Sequence, residues 1–200
     1  MSLRYSYTLL APLYDLIVER ATRSWRQASL QELSSVQGRV LLAGVGSGLD
    51  IPYLPPGSEY TGLDLTHAML RRARRQARLT RTDITLSQGD VMRLPYPDAL
   101  FDAVVMHLIL AVVPHPARAL LEAERVVKAG GRILILDKFL RPGQHAPVRR
   151  LLSPLLGMIA TRTDVVFEDV LAPCRHLALM SDVTPSGSGG WFRRIVLRKR

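Results

Sequence analysis

Short apolar runs bounded by glycine, proline or aspartate recur along the chain, at Val40–Leu42, Tyr60–Leu63, Ile84–Leu86, Phe101–His107 and Arg132–Leu136. Each is too short for a helix and reads as a strand. Between them, Met69, Ala73 and Ala77 recur at helical spacing on one stretch. Leu120, Ala123 and Val127 do so on another, which Gly130-Gly131 is expected to end. Strand alternating with helix predicts a parallel sheet covered on both faces. The last quarter breaks the alternation. Leu177–Ser181 and Trp191–Arg198 are strand-like and joined by Pro185-Ser-Gly-Ser-Gly-Gly190, which predicts a hairpin at one sheet edge. Ahead of it, Pro147–Ala160 reads as a helix that is apolar on several sides and interrupted at Pro154, a bent helix or a pair of short ones, and such an insertion near the carboxyl ends of the strands would wall a pocket.

Two hundred residues with 48% hydrophobic and 22% charged positions suit one domain with a real core and exclude disorder. The single cysteine, Cys174, cannot form an intramolecular disulfide, and the five histidines lie far apart without ligand spacing, so no metal site is expected. A reducing cytoplasm is the default compartment. The amino terminus reaches Asp15 and Glu19 before any adequate apolar run, unlike a signal peptide. The longest charge-free apolar stretch, Ala103–Ala117, falls short of the roughly 20 residues of a spanning helix. The net charge of +10 comes from arginine far more than lysine, since only Lys128, Lys138 and Lys199 are lysines. Such a surface meets nucleic acid, an anionic membrane or, where it reflects codon usage, nothing in particular. Nucleic acid is disfavoured because aromatics do not interleave with the arginines.

The chemistry concentrates after the first strand, in Val40-Leu-Leu-Ala-Gly44-Val-Gly46-Ser-Gly48-Leu-Asp50. Glycine permits positive φ and removes Cβ, so backbone can approach a ligand over the turn; a bare strand-to-helix turn uses glycine as well. The spacing Gly-x-Gly-x-Gly is not the Gly-x-Gly-x-x-Gly that seats a pyrophosphate, which argues against NAD. The second strand ends Tyr60-Thr-Gly-Leu-Asp64. A carboxylate there accepts hydrogen bonds from both hydroxyls of a ribose, and the spacing serves equally an aspartate ahead of a helix starting at Thr66. Gln88-Gly-Asp90-Val91 follows the third strand, where Asp90 can accept from an adenine amine while Val91 covers the ring. Three strand ends then converge on one adenosine.

From about Tyr5 to Phe139 the chain resembles the class I S-adenosylmethionine-dependent methyltransferases of the type 11 group, with ubiquinone/menaquinone methyltransferases and soluble bacterial phosphatidylethanolamine N-methyltransferases among them. The resemblance rests on Ala11-Pro-Leu-Tyr14-Asp15, the glycine turn, Gly62-Leu-Asp64 with Met69-Leu70, and Gly89-Asp90-Val91 with Leu94-Pro95-Tyr96. Phe101-Asp-Ala-Val-Val105 and Arg125-Val-Val-Lys-Ala-Gly-Gly131-Arg complete it. Pro114-His-Pro, Asp137-Lys-Phe139 and the Gly-Gly-Trp-Phe-Arg-Arg strand look more like the phospholipid branch than the quinone branch.

The resemblance implies a Rossmann-like α/β doubly wound sheet of seven strands, mostly parallel with the last antiparallel. It implies one domain over residues 1–200, with a helical lid at 1–35 and a helical insertion at 140–172. The implied cofactor is S-adenosyl-L-methionine, held by Gly44, Gly46, Gly48, Asp64, Leu65, Met69, Asp90, Val91 and Met106. The implied acceptor is small or amphiphilic, such as a phospholipid amine or a quinone-like molecule. Methyl transfer from a sulfonium chiefly needs alignment and exclusion of water. A base, where one is needed, is His107 at the end of the fourth strand, a position a packed histidine also explains. Tyr14 in the lid is the tyrosine expected at the methionine carboxylate or the acceptor. Lys138 and His145 follow the fifth strand, where an anionic group of the acceptor can be met; a solvated loop explains them as well.

Two departures from the family pattern stand out. Leu42 occupies the position, two before the first glycine, that is usually acidic, with Asp50 available as an electrostatic substitute; Ala111 and Val112 replace a frequent histidine pair. Leu42 motivates the alternative of a catalytically impaired module that binds S-adenosylmethionine or S-adenosylhomocysteine and acts through a partner. Arg149, Arg150 and Arg162 around the apolar helix Pro147–Ala160 suit peripheral contact with an anionic membrane.

Overall fold

Strands β1 (Gly38–Ala43), β2 (Ser58–Asp64), β3 (Ile84–Gln88), β4 (Phe101–His107), β5 (Val127–Lys138), β6 (Leu177–Val183) and β7 (Phe192–Lys199) form one sheet in the order β3-β2-β1-β4-β5-β7-β6. The computed structural model describes residues 22–141 and 164–200. β1 pairs in parallel with β2 and β4, β2 with β3, and β4 with β5. β7 enters antiparallel between β5 and β6. The expected seven-stranded, mostly parallel sheet with an antiparallel last strand is the one observed.

Alternation along the central strands sends side chains to two cores. Leu41, Ala43, Val104 and Met106 pack with Leu120 and Ala123 of α3 (Pro116–Val126) and with Phe167 of α4 (Phe167–Leu171). Val40, Leu42, Val105 and Leu134 pack on the other face, with Leu30 of the helix at 22–30, here α1, and with α2 (His67–Thr80). α2 starts at Thr66, whose side chain accepts from the Met69 amide, and buries Leu70, Ala73 and Ala77. Met69 itself is only partly buried, one position off the stripe expected from its spacing.

One element differs in kind. Val127 opens β5 instead of closing the preceding helix, and Gly130-Gly131 lie within the strand. Val127 pairs with Phe101 before the register slips by a bulge, and a Cβ on Gly131 would stand 2.8 Å from the Asp102 carbonyl oxygen. Gly131 therefore permits close strand approach at the bulge, while Gly130 takes the positive φ of +78° that the irregular backbone requires. No helix among the described residues is long and apolar enough to cross a membrane. Tyr14, His145 and the expected helix Pro147–Ala160 lie outside the described residues.

Candidate active site

The chain moves outward from β1 to β3 on one side and from β4 onward on the other, so the sheet has a switch point between β1 and β4 and a crevice at their carboxyl ends. The glycine turn lies there, with φ of +83° at Gly44, +55° at Gly46 and +88° at Gly48. The Gly44 and Val45 amides both donate to the Leu63 carbonyl at 2.9 Å, and the Gly46 amide donates to Asp64 Oδ2 at 3.0 Å. The glycines serve different ends. A Cβ on Gly44 would meet Ile109 Cγ1 at 2.7 Å and one on Gly48 would meet Ala73 Cα of α2 at 2.9 Å, but one on Gly46 meets nothing within 4 Å. Gly48, expected to line the ligand, instead permits close packing of the turn on α2, whereas Gly46 faces open space.

Asp64 joins the turn to α2. Its Oδ1 accepts from the Thr66 amide at 2.9 Å and hydroxyl at 3.2 Å, and its Oδ2 from Gly46. Burial pushes its carboxyl up, against the lowering effect of those donors. Leu65 beside it is 50% exposed, an apolar surface at the crevice mouth. Asp90 accepts from the Met92 amide through Oδ1 at 2.8 Å, and its other oxygen has no donor among the described residues. Arg125 holds the loop that follows, donating to the carbonyls of Leu94 and Tyr96 at 3.0 and 2.7 Å. Val91 and Met106, expected to contact the cofactor, turn their side chains into the core beneath α3. The alternation of β4 sends Met106 there with Val104.

His107 does not reach the crevice as a free base. Its Nδ1 lies 2.9 Å from Asp50 Oδ1 and its Nε2 2.9 Å from Ser29 Oγ, and its side chain is fully buried. Because a carboxylate only accepts, Nδ1–H donates to Asp50, and Nε2 shares its hydrogen bond with the Ser29 hydroxyl, which can donate or accept. Arg26 completes the network, its Nη1 donating to Asp50 Oδ1 at 2.8 Å and its Nε to the Thr22 hydroxyl at 2.9 Å. Burial alone pushes the Asp50 carboxyl up, but His107 and Arg26 outweigh it and hold the group well below the usual carboxylate range. Asp50 is thus neutralised internally and does not substitute for the missing acid at Leu42. Leu42 packs in the core with Leu70 and Leu134. Arg26 and Ser29 were not singled out in the sequence. Their signal is a polar stripe at i, i+4 and i+7, Thr22-Arg26-Ser29, on a helix face where burial is expected to select apolar residues.

At the end of β5, buried Asp137 accepts from the Ala111 amide at 3.0 Å through Oδ2 and from the Lys138 amide at 2.8 Å through Oδ1. Burial pushes its carboxyl up to about 6, against those two donors. A folded-state value raised above the unfolded 3.8 favours folding fully below 3.8, and the gain is lost as pH rises through about 6. The destabilisation caused by Asp137→Ala is therefore expected to shrink by about 2–3 kcal/mol between about pH 4 and pH 7, read by urea unfolding. A gap independent of pH would show that Asp137 does not titrate in this range.

A family model for a methyltransferase domain matches residues 41–135. Over 191 residues, covering 94% of this chain and 93% of the relative, the sequence is 32% identical to phosphatidylethanolamine N-methyltransferase of Cereibacter sphaeroides. The chain belongs to the class I S-adenosylmethionine-dependent methyltransferases. A demethylmenaquinone methyltransferase of Deinococcus radiodurans is 34% identical over 139 residues, 66% of this chain and 58% of that relative. Among solved structures, a methyltransferase of Thermotoga maritima, described as a possible histamine N-methyltransferase, superposes with TM-score 0.71 at 18% identity over all of both chains. Geranyl diphosphate C-methyltransferase of Streptomyces coelicolor, solved with S-adenosyl-L-homocysteine and geranyl diphosphate, gives TM-score 0.71 at 16% identity, covering 89% of this chain and 79% of that one. These likenesses establish the fold. The cofactor of this methyltransferase is S-adenosylmethionine, and the crevice suits it: an open Gly46, a carboxylate at the end of β2, an exposed Leu65 and an unpaired Asp90 oxygen stand along one edge of the sheet.

Proposed function

We propose that this methyltransferase methylates the amine of an amino-phospholipid such as phosphatidylethanolamine. The observation that carries the reading is end-to-end similarity. The match to the phosphatidylethanolamine N-methyltransferase spans 94% of the chain, whereas that to the Deinococcus menaquinone enzyme spans 66%. The state of His107 supports it. The acceptor ammonium first gives a proton to water, the lone pair so freed attacks the methyl carbon as the carbon–sulfur bond breaks, and the methylammonium product exchanges its proton with solvent, whereas a quinol ring carbon must shed its proton within the site. Among the described residues the histidine expected as base has both ring nitrogens engaged.

In this reading the Gly46 backbone borders the cofactor, Asp64 accepts from the ribose hydroxyls, Leu65 and Met69 cover apolar surface, and Asp90 accepts from the adenine amine. Val91 contributes through its backbone. S-adenosylmethionine, when bound, supplies a methyl group made electrophilic by a sulfonium. The protein's part is to align the acceptor nitrogen and exclude water. Peripheral contact with an anionic membrane belongs to the same reading. On α2, Arg71, Arg74, Arg75 and Arg78 are exposed at i, i+3, i+4 and i+7, and the helix carries no acidic residue.

The test uses vesicles of phosphatidylethanolamine with and without phosphatidylglycerol, and cofactor labelled at the methyl group. Label is expected in monomethylated phosphatidylethanolamine, faster with the anionic lipid, with the protein sedimenting on anionic vesicles at low salt and released at high salt. Label appearing only in an added demethylmenaquinol would replace the amine reading with the quinol one.

A further inference from the structure

Lys138 is the last residue of β5, at the carboxyl end of the parallel strands that also carries the glycine turn, Asp64 and Asp90. Opposite it in β7 stands Phe192, and the Lys138 ammonium lies 5.6 Å from the centre of that ring. Trp25 of α1 packs on the same ring at 5.0 Å and is fixed by donating from Nε1 to the Ser186 carbonyl at 3.1 Å. The next residue along α1 is Arg26, so one helix supplies both Trp25 and a member of the Arg26–Asp50–His107–Ser29 network.

The ammonium is short of partners. It is partly buried, and its burial pushes its pKa down against the opposing charge of Asp137. No described residue accepts a hydrogen bond from Nζ. Both Asp137 oxygens take backbone amides, and the nearby carboxylates of Glu168 and Asp182 hold Arg193. By contrast Lys128, at the other end of β5, is paired with Asp102 at 2.8 Å, and Lys199 donates to the carbonyls of Glu124 and Val127. The Asp137 charge is close by, but an ammonium partly withdrawn from water with no described hydrogen-bond acceptor keeps its donors for an arriving anion, which offsets the cost of its burial.

We propose that Lys138, with Phe192 and Trp25 as its walls, is an anion subsite of the acceptor pocket that takes the phosphodiester of the substrate headgroup. The assignment to a headgroup rests on the amino-phospholipid reading above; the chemistry shared with free phosphate is a charge-assisted hydrogen bond from Nζ to a phosphate oxygen. The subsite makes acceptor choice depend on the phosphate as well as the amine, so ethanolamine alone is a poor substrate.

The chain has two tryptophans, so Trp191→Phe leaves Trp25 as a reporter within the subsite. Glycerophosphoethanolamine, inorganic phosphate and ethanolamine are titrated separately into this protein and followed by Trp25 emission. Saturable changes are expected with the first two and none with ethanolamine. Lys138→Gln should weaken glycerophosphoethanolamine binding about tenfold or more, with cofactor affinity and melting temperature unchanged, and Lys138→Arg should retain binding. Equal binding by wild type and Lys138→Gln overturns the proposal. A response to inorganic phosphate without one to glycerophosphoethanolamine overturns it too, because the subsite must admit a diester. If glycerophosphoethanolamine binds through Lys138 yet phosphatidylethanolamine is not methylated, the subsite stands and the choice of acceptor amine is what fails.

Discussion

Replacing Asp50 by alanine is expected to destabilise the protein by about 3–5 kcal/mol, a large part of the stability of an ordinary domain. The reason is what remains behind. Arg26 is 5% exposed and keeps only the Thr22 hydroxyl as a side-chain acceptor among the described residues, while His107 loses the acceptor of its Nδ1–H. An uncompensated buried guanidinium is far costlier than the loss of one surface pair, which contributes at most about 1 kcal/mol. Removing both charges, as in Arg26→Leu with Asp50→Leu, should recover much of the loss, so the double-mutant cycle has a large coupling energy. Guanidinium unfolding of the four proteins measures it. Additive losses would mean that the 2.8 Å contact between Arg26 and Asp50 is not an energetic unit. Because the Asp50 carboxyl is held below its usual range, its contribution is fully present above about pH 4 and is lost only as acidification protonates it. The network also links α1 to Asp50, two residues beyond the last glycine of the turn. Its loss is therefore expected to loosen the cofactor turn as well as the helix.

The sheet was largely legible in the sequence because each strand is a short apolar run closed by glycine, proline or aspartate, and such runs have few alternative readings. The β5 entry was not. Val127 continues the helical spacing of Leu120 and Ala123, and only its pairing across the sheet with Phe101, a tertiary contact, converts it to strand. Around the site, the expected convergence of the glycine turn and the end of β2 is seen in the Gly46–Asp64 hydrogen bond, yet spacing alone does not separate the glycine that faces open space from the one that meets Ala73. His107 stands where a base is expected. Its partners come from positions 29 and 50, far away in sequence, so its engagement is invisible until the chain is folded. Met106 and Val91 send their side chains into the core, because adjacency to a strand end does not fix which face of the sheet a side chain takes.

Asp64→Ala is expected to weaken S-adenosylmethionine binding by roughly 10- to 100-fold, which corresponds to about 1–3 kcal/mol for hydrogen bonds to a charged group. Two effects add. The carboxylate offered to a ribose disappears, and the Gly46 amide loses its 3.0 Å acceptor, so the turn is less ordered before ligand arrives. Calorimetry on wild type, Asp64→Ala and Asp64→Asn measures the loss, and asparagine should fall between the other two because its single carbonyl oxygen keeps part of the acceptor set. Two glycine variants separate damage to the turn from loss of ligand contact. Gly46→Ala adds a methyl group where nothing lies within 4 Å, at a backbone cost of about 1–2 kcal/mol for left-handed φ, so its main effect should be on cofactor affinity. Gly48→Ala drives a Cβ to 2.9 Å from the α2 backbone and should lower the melting temperature first. If Gly46→Ala binds cofactor as wild type does while Asp64→Ala does not, the space above Gly46 is not the cofactor's, and Asp64 acts mainly by holding the turn against α2.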